Sequence, residues 1–389
     1  MRKRNPARIP NVICTIIFGA FTFLYLYCFQ SDMLAYAQYV LAEGATTYNA
    51  LVGSLIITVV MLLLSMLTAS VLSKNLSYLC VLSHVPSILV LAAMTDINIV
   101  HEGEKNVFGN TWLVSLLIFI ALFIINSFSN RIFVAARGKY ATVKCVWINL
   151  LLLFVFSLYA VACGNTSKLD HLTIRSEQML AKAEYDKINE MMEQSSVNTR
   201  ELTAIKAFSL ANTEQLGENF FRPFVTRESS SLLPMYPEKM HMFPVDRIYK
   251  ALGGVPTRGL TVRRYLDIMN SRGTLTPMGR DYLLTACLMD CDLKSFAAYC
   301  KQWDCPASSM QKNYSEAMAL YTRLGNDTIS TYKDARTEEN LDRFLEIKKE
   351  HPDKALCENA LRDAYSDTYW FYYFCTSSRA FTQSVSSEK

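Results

Sequence analysis

An all-α chain is expected, with a transmembrane bundle of five helices followed by an extracytoplasmic domain of stacked αα-hairpins. Three observations point there. Apolar residues make up 51% of the 389 residues and charged ones only 19%, against a usual charged share of about 25%. The charge is unevenly divided: residues 1–163 hold ten Lys/Arg and five Asp/Glu, residues 164–389 twenty-nine and thirty. The second part repeats apolar residues at helical spacing with little strand signal. This composition excludes a disordered or collagen-like chain, and a net charge of +4 with no basic face offers no footprint for nucleic acid.

A bilayer core about 30 Å thick needs roughly 20 apolar helical residues. Five uncharged stretches meet that length, at about 10–30, 50–73, 75–95, 111–130 and 145–163. The first follows Arg2, Lys3, Arg4 and Arg8 and has the outline of a signal peptide. Tyr25, Tyr27 and Phe29 crowd its exit where a cleavage site needs small residues, so a retained span is expected. Ala160-Val161-Ala162-Cys163 loosely imitates a lipoprotein signal. Its place deep in the chain, with Ala160 where a larger aliphatic residue belongs, favours a span ending in small residues.

Lys and Arg set the orientation. Four precede the first span, none lies in 31–49, and the 74–75 turn holds Lys74. The 96–110 loop sets Lys105 against Asp96, Glu102 and Glu104, whereas the next connection carries Arg131, Arg137, Lys139 and Lys144. The alternation predicts a cytoplasmic N-terminus, five crossings of the inner membrane, and a periplasmic domain over 164–375 with a flexible tail at 376–389.

That domain reads as helix. Leu293, Phe296, Ala297, Cys300 and Trp303 form one amphipathic stripe, as do Tyr314, Ala317, Met318, Tyr321 and Leu324. Leu202, Ile205, Phe208 and Leu341, Phe344, Leu345 fit less completely. Gly253-Gly254 and Gly325 supply stops, and Pro256, Pro277 and Pro352 supply starts. Helices are expected near 168–194, 199–212, 213–221, 245–252, 257–271, 277–290, 292–303, 310–324, 337–350 and 353–364. Short helices that cannot bury their stripes alone imply stacked hairpins.

Tyr282-Leu283-Leu284-Thr285-Ala286-Cys287, followed by Phe296-Ala297-Ala298-Tyr299, resembles a tetratricopeptide-type hairpin without a regular 34-residue signature. The whole layout resembles a family of uncharacterised Bacteroidetes-type membrane proteins with several spans and a tetratricopeptide-like outer region. Segments carrying the likeness are Asp32-Met33-Leu34-Ala35-Tyr36-Ala37-Gln38, Pro86-Ser87-Ile88-Leu89 with Thr95-Asp96, and Tyr314-Ser315-Glu316-Ala317. The resemblance implies architecture and location, and no activity.

Residues 222–244 break the helical pattern with prolines 223, 234, 237 and 244, yet they carry Leu232, Leu233, Met235, Tyr236, Met240, Met242 and Phe243. Connections this long are often functional. Such a loop either packs over the helical groove or serves as a lid or docking surface. Six cysteines lie beyond the spans: Cys287, Cys291, Cys300, Cys305, Cys357 and Cys375. A Cys287–Cys300 bridge is geometrically open but not implied, and small cysteines buried in helix contacts are the simpler reading. Neither C-x-x-C nor paired Cys/His spacing occurs, so no metal is expected. The aromatic run Tyr369–Phe374 must dock somewhere.

No phosphate loop, G-x-S-x-G, H-E-x-x-H or kinase signature occurs, and no cofactor is expected. His171, His241 and His351 sit among polar residues and read as solvated. His84, beside Pro86 in the third span, is either functional by virtue of its place in the membrane or bonded to a backbone carbonyl freed by the proline. Asp32 and Asp96 fall at the outer ends of spans one and three, on the side of His101 and Glu102. A transferase using lipid-linked donors would need such acids as base or metal holder. Ordinary capping of spans at the interface explains them too. The expectation is a scaffold that binds a protein partner through its outer domain and contacts membrane lipid, with the transferase as the alternative.

Overall fold

The computed structural model describes residues 8–72, 79–99, 107–128, 141–195, 199–222, 228–235, 240–306, 309–324 and 334–386, together with Val197. Every regular element there is helical, apart from one isolated bridge between Ile97 and Phe108. The chain divides into two compact units, Met1–Arg175 and Ser176–Lys389.

The first unit contains α1 (Arg8–Leu24), a π-helical turn (Tyr25–Phe29), α2 (Ser31–Leu41), α3 (Ala50–Leu72), α4 (Val85–Thr95), α5 (Thr111–Phe128) and α6 (Ala141–Cys163). Three helical stretches are long and apolar enough to cross a membrane: Ile9–Phe29, Ala50–Val71 and Val143–Cys163. They expose large apolar side chains such as Leu63 (59%), Trp147 (69%) and Leu151 (63%), which water would not tolerate as a continuous band. The stretch expected as a third span is not one helix. It comprises a 3-10 turn (Cys80–Ser83) and the eleven-residue α4, with Pro86 in the first helical turn, where its missing N–H costs nothing. Asn149 from α6 accommodates the break: its Oδ1 accepts the Val81 N–H (2.9 Å) while its Nδ2 donates to the Cys145 carbonyl (2.8 Å). A backbone amide buried among apolar side chains requires such a partner from the protein. The 31–49 connection, read as a loop, is helical over its first part (α2), with Asp32 through Ala37 buried.

The second unit takes up the chain from α7 (Lys168–Ala181), within which the division falls. It continues through α8 (Tyr185–Gln194), α9 (Arg200–Asn212), α10 (Leu216–Asn219), α11 (Val245–Leu252), α12 (Val262–Ser271), α13 (Pro277–Met289), α14 (Leu293–Gln302), α15 (Lys312–Arg323), α16 (Ala335–Glu350), α17 (Lys354–Tyr365) and α18 (Tyr369–Ser386). Caps set several starts: Thr199, Thr261, Thr276, Asp292 and Asp353 each accept a backbone N–H with their side chains. Stops share one device. The N–H five residues on returns to a helical carbonyl at Glu184→Met179, Gln215→Leu210, Gly254→Tyr249, Thr274→Met269, Asp292→Cys287 and Cys305→Cys300. The residue between takes the left-handed conformation, with φ of 56° at Ala183, Glu214 and Cys291 and 93° at Gly253. Ala183 therefore splits the single helix expected over 168–194 into α7 and α8.

The stripes read from sequence are core except at their ends, where Trp303 is half-buried and Leu324 is exposed beyond the last turn of α15. Leu293, Phe296, Ala297 and Cys300 are buried in α14, and Tyr314, Ala317, Met318 and Tyr321 in α15. The Tyr369–Phe374 run begins α18. The Tyr369 hydroxyl donates to the Leu288 carbonyl (3.2 Å), that of Tyr372 to the Met289 carbonyl (2.9 Å), and Trp370 Nε1 to the Glu316 carbonyl (2.8 Å). The Phe221 ring packs edge-on against Tyr369 and Tyr372. Thus anchored, the backbone remains helical to Ser386, past residue 376 where the sequence suggested a tail.

Candidate functional site

Several polar residues of the first unit, Tyr25, Gln30, Thr95 and Asn165, gather where α1, α4 and α6 end. The π turn Tyr25–Phe29, a geometry found often at functional sites, turns the chain so that Tyr25 and Gln30 point inward, 5% and 2% exposed. The Tyr25 hydroxyl lies 3.3 Å from both the Thr95 hydroxyl and the Ala160 carbonyl, to which it donates. Gln30 Nε2 donates to the Tyr25 oxygen (3.2 Å) and the Asn165 carbonyl (2.9 Å). Asn165 in turn gives its N–H to the Thr95 carbonyl (2.9 Å) and its Nδ2 to the Ile97 carbonyl (2.8 Å) and Asp170 (3.0 Å). Asn165 is thus the tie among the three helix ends.

Asp32 lies at the start of α2 and is 7% exposed. Arg175 donates to its Oδ2 through Nε (3.1 Å) and Nη2 (2.7 Å), and His171 Nδ1 stands 3.6 Å away. Burial pushes the Asp32 carboxyl up, but His171 and Arg175 outweigh it and hold it below the usual carboxylate range. Asp32 in return raises His171, against its own burial, while the Asn165 carbonyl 3.1 Å from Nε2 adds to the rise. His171 is therefore a partly buried member of this cluster, where sequence suggested a solvated side chain.

Beside this cluster lies a cavity of about 500 Å³. Phe21, Tyr25, Phe29, Val161 and Leu172 form an apolar wall, and Gln30, Asn165, Thr166, Lys168, His171 and Arg175 a polar one. Lys168, His171 and Arg175 are spaced i, i+3 and i+7 along α7, so one face of that helix delivers all three. This basic stripe, opening five residues after an apolar span, was the sequence signal that reading for catalytic motifs passed over.

Asp96 is engaged elsewhere. Its Oδ2 accepts the Thr111 N–H (3.0 Å) and the Thr111 hydroxyl (2.5 Å), holding the N-terminus of α5, where a negative charge is favoured by the helix dipole. Gly109 lets it lie so close, since a Cβ there would stand 2.1 Å from the carboxylate. Asp32 and Asp96 thus serve different partners, although the first and third apolar stretches do meet, at Tyr25 and Thr95. His101 and Glu102 lie outside the described residues. His84 is 1% exposed, between the 3-10 turn and α4. Its Nε2 reaches the Thr15 hydroxyl (3.4 Å) and its ring faces Phe18 at 5.1 Å. The partner is a hydroxyl, not a carbonyl freed by Pro86: at the first turn of α4 that proline releases no carbonyl of a preceding α-helix. Nδ1 has no hydrogen bond among the described residues.

In the second unit Glu177, fully buried, accepts three successive N–H groups of the 222–244 connection: His241 (3.1 Å), Met242 (2.5 Å) and Phe243 (3.0 Å). Burial pushes its carboxyl above the usual range against those donors. Leu232, Leu233 and Phe243 are buried, and the Ser229 hydroxyl donates to Asp290 (2.9 Å). In its described parts this connection turns Leu232, Leu233 and Phe243 inward and leaves Glu228 and Pro244 exposed, in line with the first of its two readings. All six cysteines are unbridged, with Cys287, Cys300, Cys357 and Cys375 buried. Cys300 and Cys305 face each other across the end of α14, and hydrogen bonding from Cys300 lowers the Cys305 thiol to about 7. Sequence weighed Cys287 as the partner of Cys300 and missed Cys305, which the returning turn brings back.

No curated protein and no solved structure matches the chain. Residues 264–376, spanning most of α12 to the start of α18, match a family model described as a family of unknown function (DUF6057), in keeping with the resemblance to an uncharacterised family.

Proposed function

We propose that the chain is an inner-membrane protein of five crossings whose tetratricopeptide-like domain stands in the periplasm and acts as a scaffold for a protein partner. The observation that carries this reading is the employment of the acids. Asp32 is bound to a guanidinium and Asp96 holds a helix terminus, so the groups a transferase would need as base or metal holder serve the architecture. A carboxylate held below its usual range by His171 and Arg175 is a weak proton acceptor. The crossing pattern draws support from Asn165. It gathers the C-terminal ends of α1, α4 and α6, as required if the first, third and fifth spans run the same way. Repeated helix–turn–helix units with buried stripes support the scaffold, since such arrays present broad binding faces.

Two measurements test it. A periplasm-dependent phosphatase fused after residue 200 is expected to be active and one fused near 140 silent; the reverse sinks the orientation. A photo-crosslinker placed in living cells at exposed Val255, Leu324 or Leu356 is expected to yield a discrete protein adduct. Adducts with lipid alone would favour the transferase.

A further inference from the structure

We propose that the cavity beside Asp32 binds the head group of one anionic phospholipid, with the start of its acyl chains against the apolar wall. The proposal stands apart from the protein partner above, because every group it uses belongs to the first unit.

Size and place come first. At about 500 Å³ the cavity falls within the range of small-molecule sites, and it opens where two helices long and apolar enough to cross a membrane end, at Phe29 and Cys163. A ligand there meets head-group depth on one side and hydrocarbon on the other. The wall shares that division. Phe21, Phe29 and Val161 are side chains of the spans, whereas Lys168 and Arg175 rise from α7. Free phosphate would use the cations and leave the apolar wall in water. A lipid without net negative charge would use the wall but leave the cluster's excess positive charge, that of Lys168, uncompensated, since Arg175 and His171 already face Asp32.

Charge selects the sign. Lys168 and Arg175 are positive, and Asp32 raises His171 toward its charged form. The acids nearby are Asp32, already committed to Arg175 and His171, and Asp170, which accepts from Asn165. Lys168 pairs with no carboxylate among the described residues. Arg175 spends Nε and Nη2 on Asp32, which fixes its planar fork at the rim of the cavity. A guanidinium so oriented suits a phosphate oxygen better than a mobile one would. Asp32 is then a positioning residue: it holds the cation, and the cation meets the ligand.

The test uses the full chain purified in a neutral detergent. Native mass spectrometry would follow retention of dihexanoyl phosphatidylglycerol, dihexanoyl phosphatidylcholine and inorganic phosphate. We expect about tenfold tighter retention of the glycerol lipid than the choline lipid, and phosphate competing only at far higher concentration. Lys168→Gln, at an exposed position outside the ion pair, is expected to weaken the glycerol lipid threefold to tenfold with no shift in melting temperature. Phe29→Ser, at a side chain 67% exposed, is expected to weaken both lipids. Equal retention of the two lipids, phosphate competing as well as the lipid does, or no change in either variant would each overturn the assignment.

Discussion

Stability should fall as pH rises from 5 to 7, the reverse of ordinary acid denaturation, and Glu316 is the main reason. This side chain is 4% exposed in α15, and its Oε2 accepts the Tyr369 N–H at 2.7 Å. Burial raises its carboxyl from 4.5 to about 8, opposed by that N–H and by Lys312. The folded state therefore keeps a proton that the unfolded chain releases near 4.5. The stabilisation is whole below the unfolded value, is lost as pH climbs toward 8, and levels off above it. Between pH 5 and 7 the loss works out at about 2 to 3 kcal/mol. Asp281, raised to about 6 by burial and by Glu214, adds in the same direction. The assay is urea unfolding of the detergent-solubilised chain at pH 5, 6 and 7, read by tryptophan fluorescence after Trp112, Trp147 and Trp303 are replaced by Phe, leaving Trp370, whose Nε1 donates to the Glu316 carbonyl. Glu316→Gln keeps an oxygen for the Tyr369 N–H and cannot ionise, so it should flatten most of the slope. A wild-type slope that is level or rising, or one that the glutamine variant leaves unchanged, would refute the reasoning.

Glu177→Ala should cost about 3 kcal/mol, because it strands the N–H groups of residues 241–243, each worth about 1–3 kcal/mol when buried and unpaired and less where water can reach; limited trypsin digestion should then cut within 222–244 sooner, and an unchanged digestion pattern would contradict the role given to Glu177. Gly253→Ala meets both a φ of 93° and the Thr274 carbonyl oxygen 2.1 Å from the new Cβ, so a loss of about 2 kcal/mol or more should appear in thermal melts, whereas a neutral result would mean the α11 turn can re-form. Asp32→Ala should lower stability by about 1–3 kcal/mol, under the 3–5 kcal/mol of a fully buried pair because Arg175 is half exposed; a change within about 0.5 kcal/mol would mean that the pair with Arg175 contributes no more than an ordinary surface contact.

Sequence rendered the helical domain well because its stripes and stops are local. Leu293, Phe296 and Ala297 sit where a 3.6-residue period puts them, and the 245–252 helix is found at its expected bounds. What escaped depends on partners far along the chain. Nothing near Ala183 announces a left-handed turn, and that conformation becomes tolerable only when Glu184 returns its N–H to Met179. Asp32 read as an ordinary cap at a span end because its cation comes 143 residues later. The third stretch looked like an ordinary span because hydropathy sees Val81 and Leu82 but not the break that Asn149 mends. Among the candidate residues, position was legible and employment was not. Asp32 and Asp96 do sit beside helix ends, yet their roles follow from Arg175 and Thr111.

The two asparagines of the last span and its exit have a consequence for biogenesis. Asn149 and Asn165 answer groups contributed by segments synthesised earlier: the Val81 N–H, and the carbonyls of Thr95 and Ile97. On the proposed five-crossing topology, until residues 141–165 leave the ribosome a nascent bundle holds the Val81 amide with its eventual partner still unmade. The first four segments should therefore loiter near the insertion machinery, and a chain stopped before Ala141 should be cleared by membrane proteases faster than one stopped after Asp170. Assembly would be completed from the end of the membrane domain, by the segment that also leads into the helical units beyond.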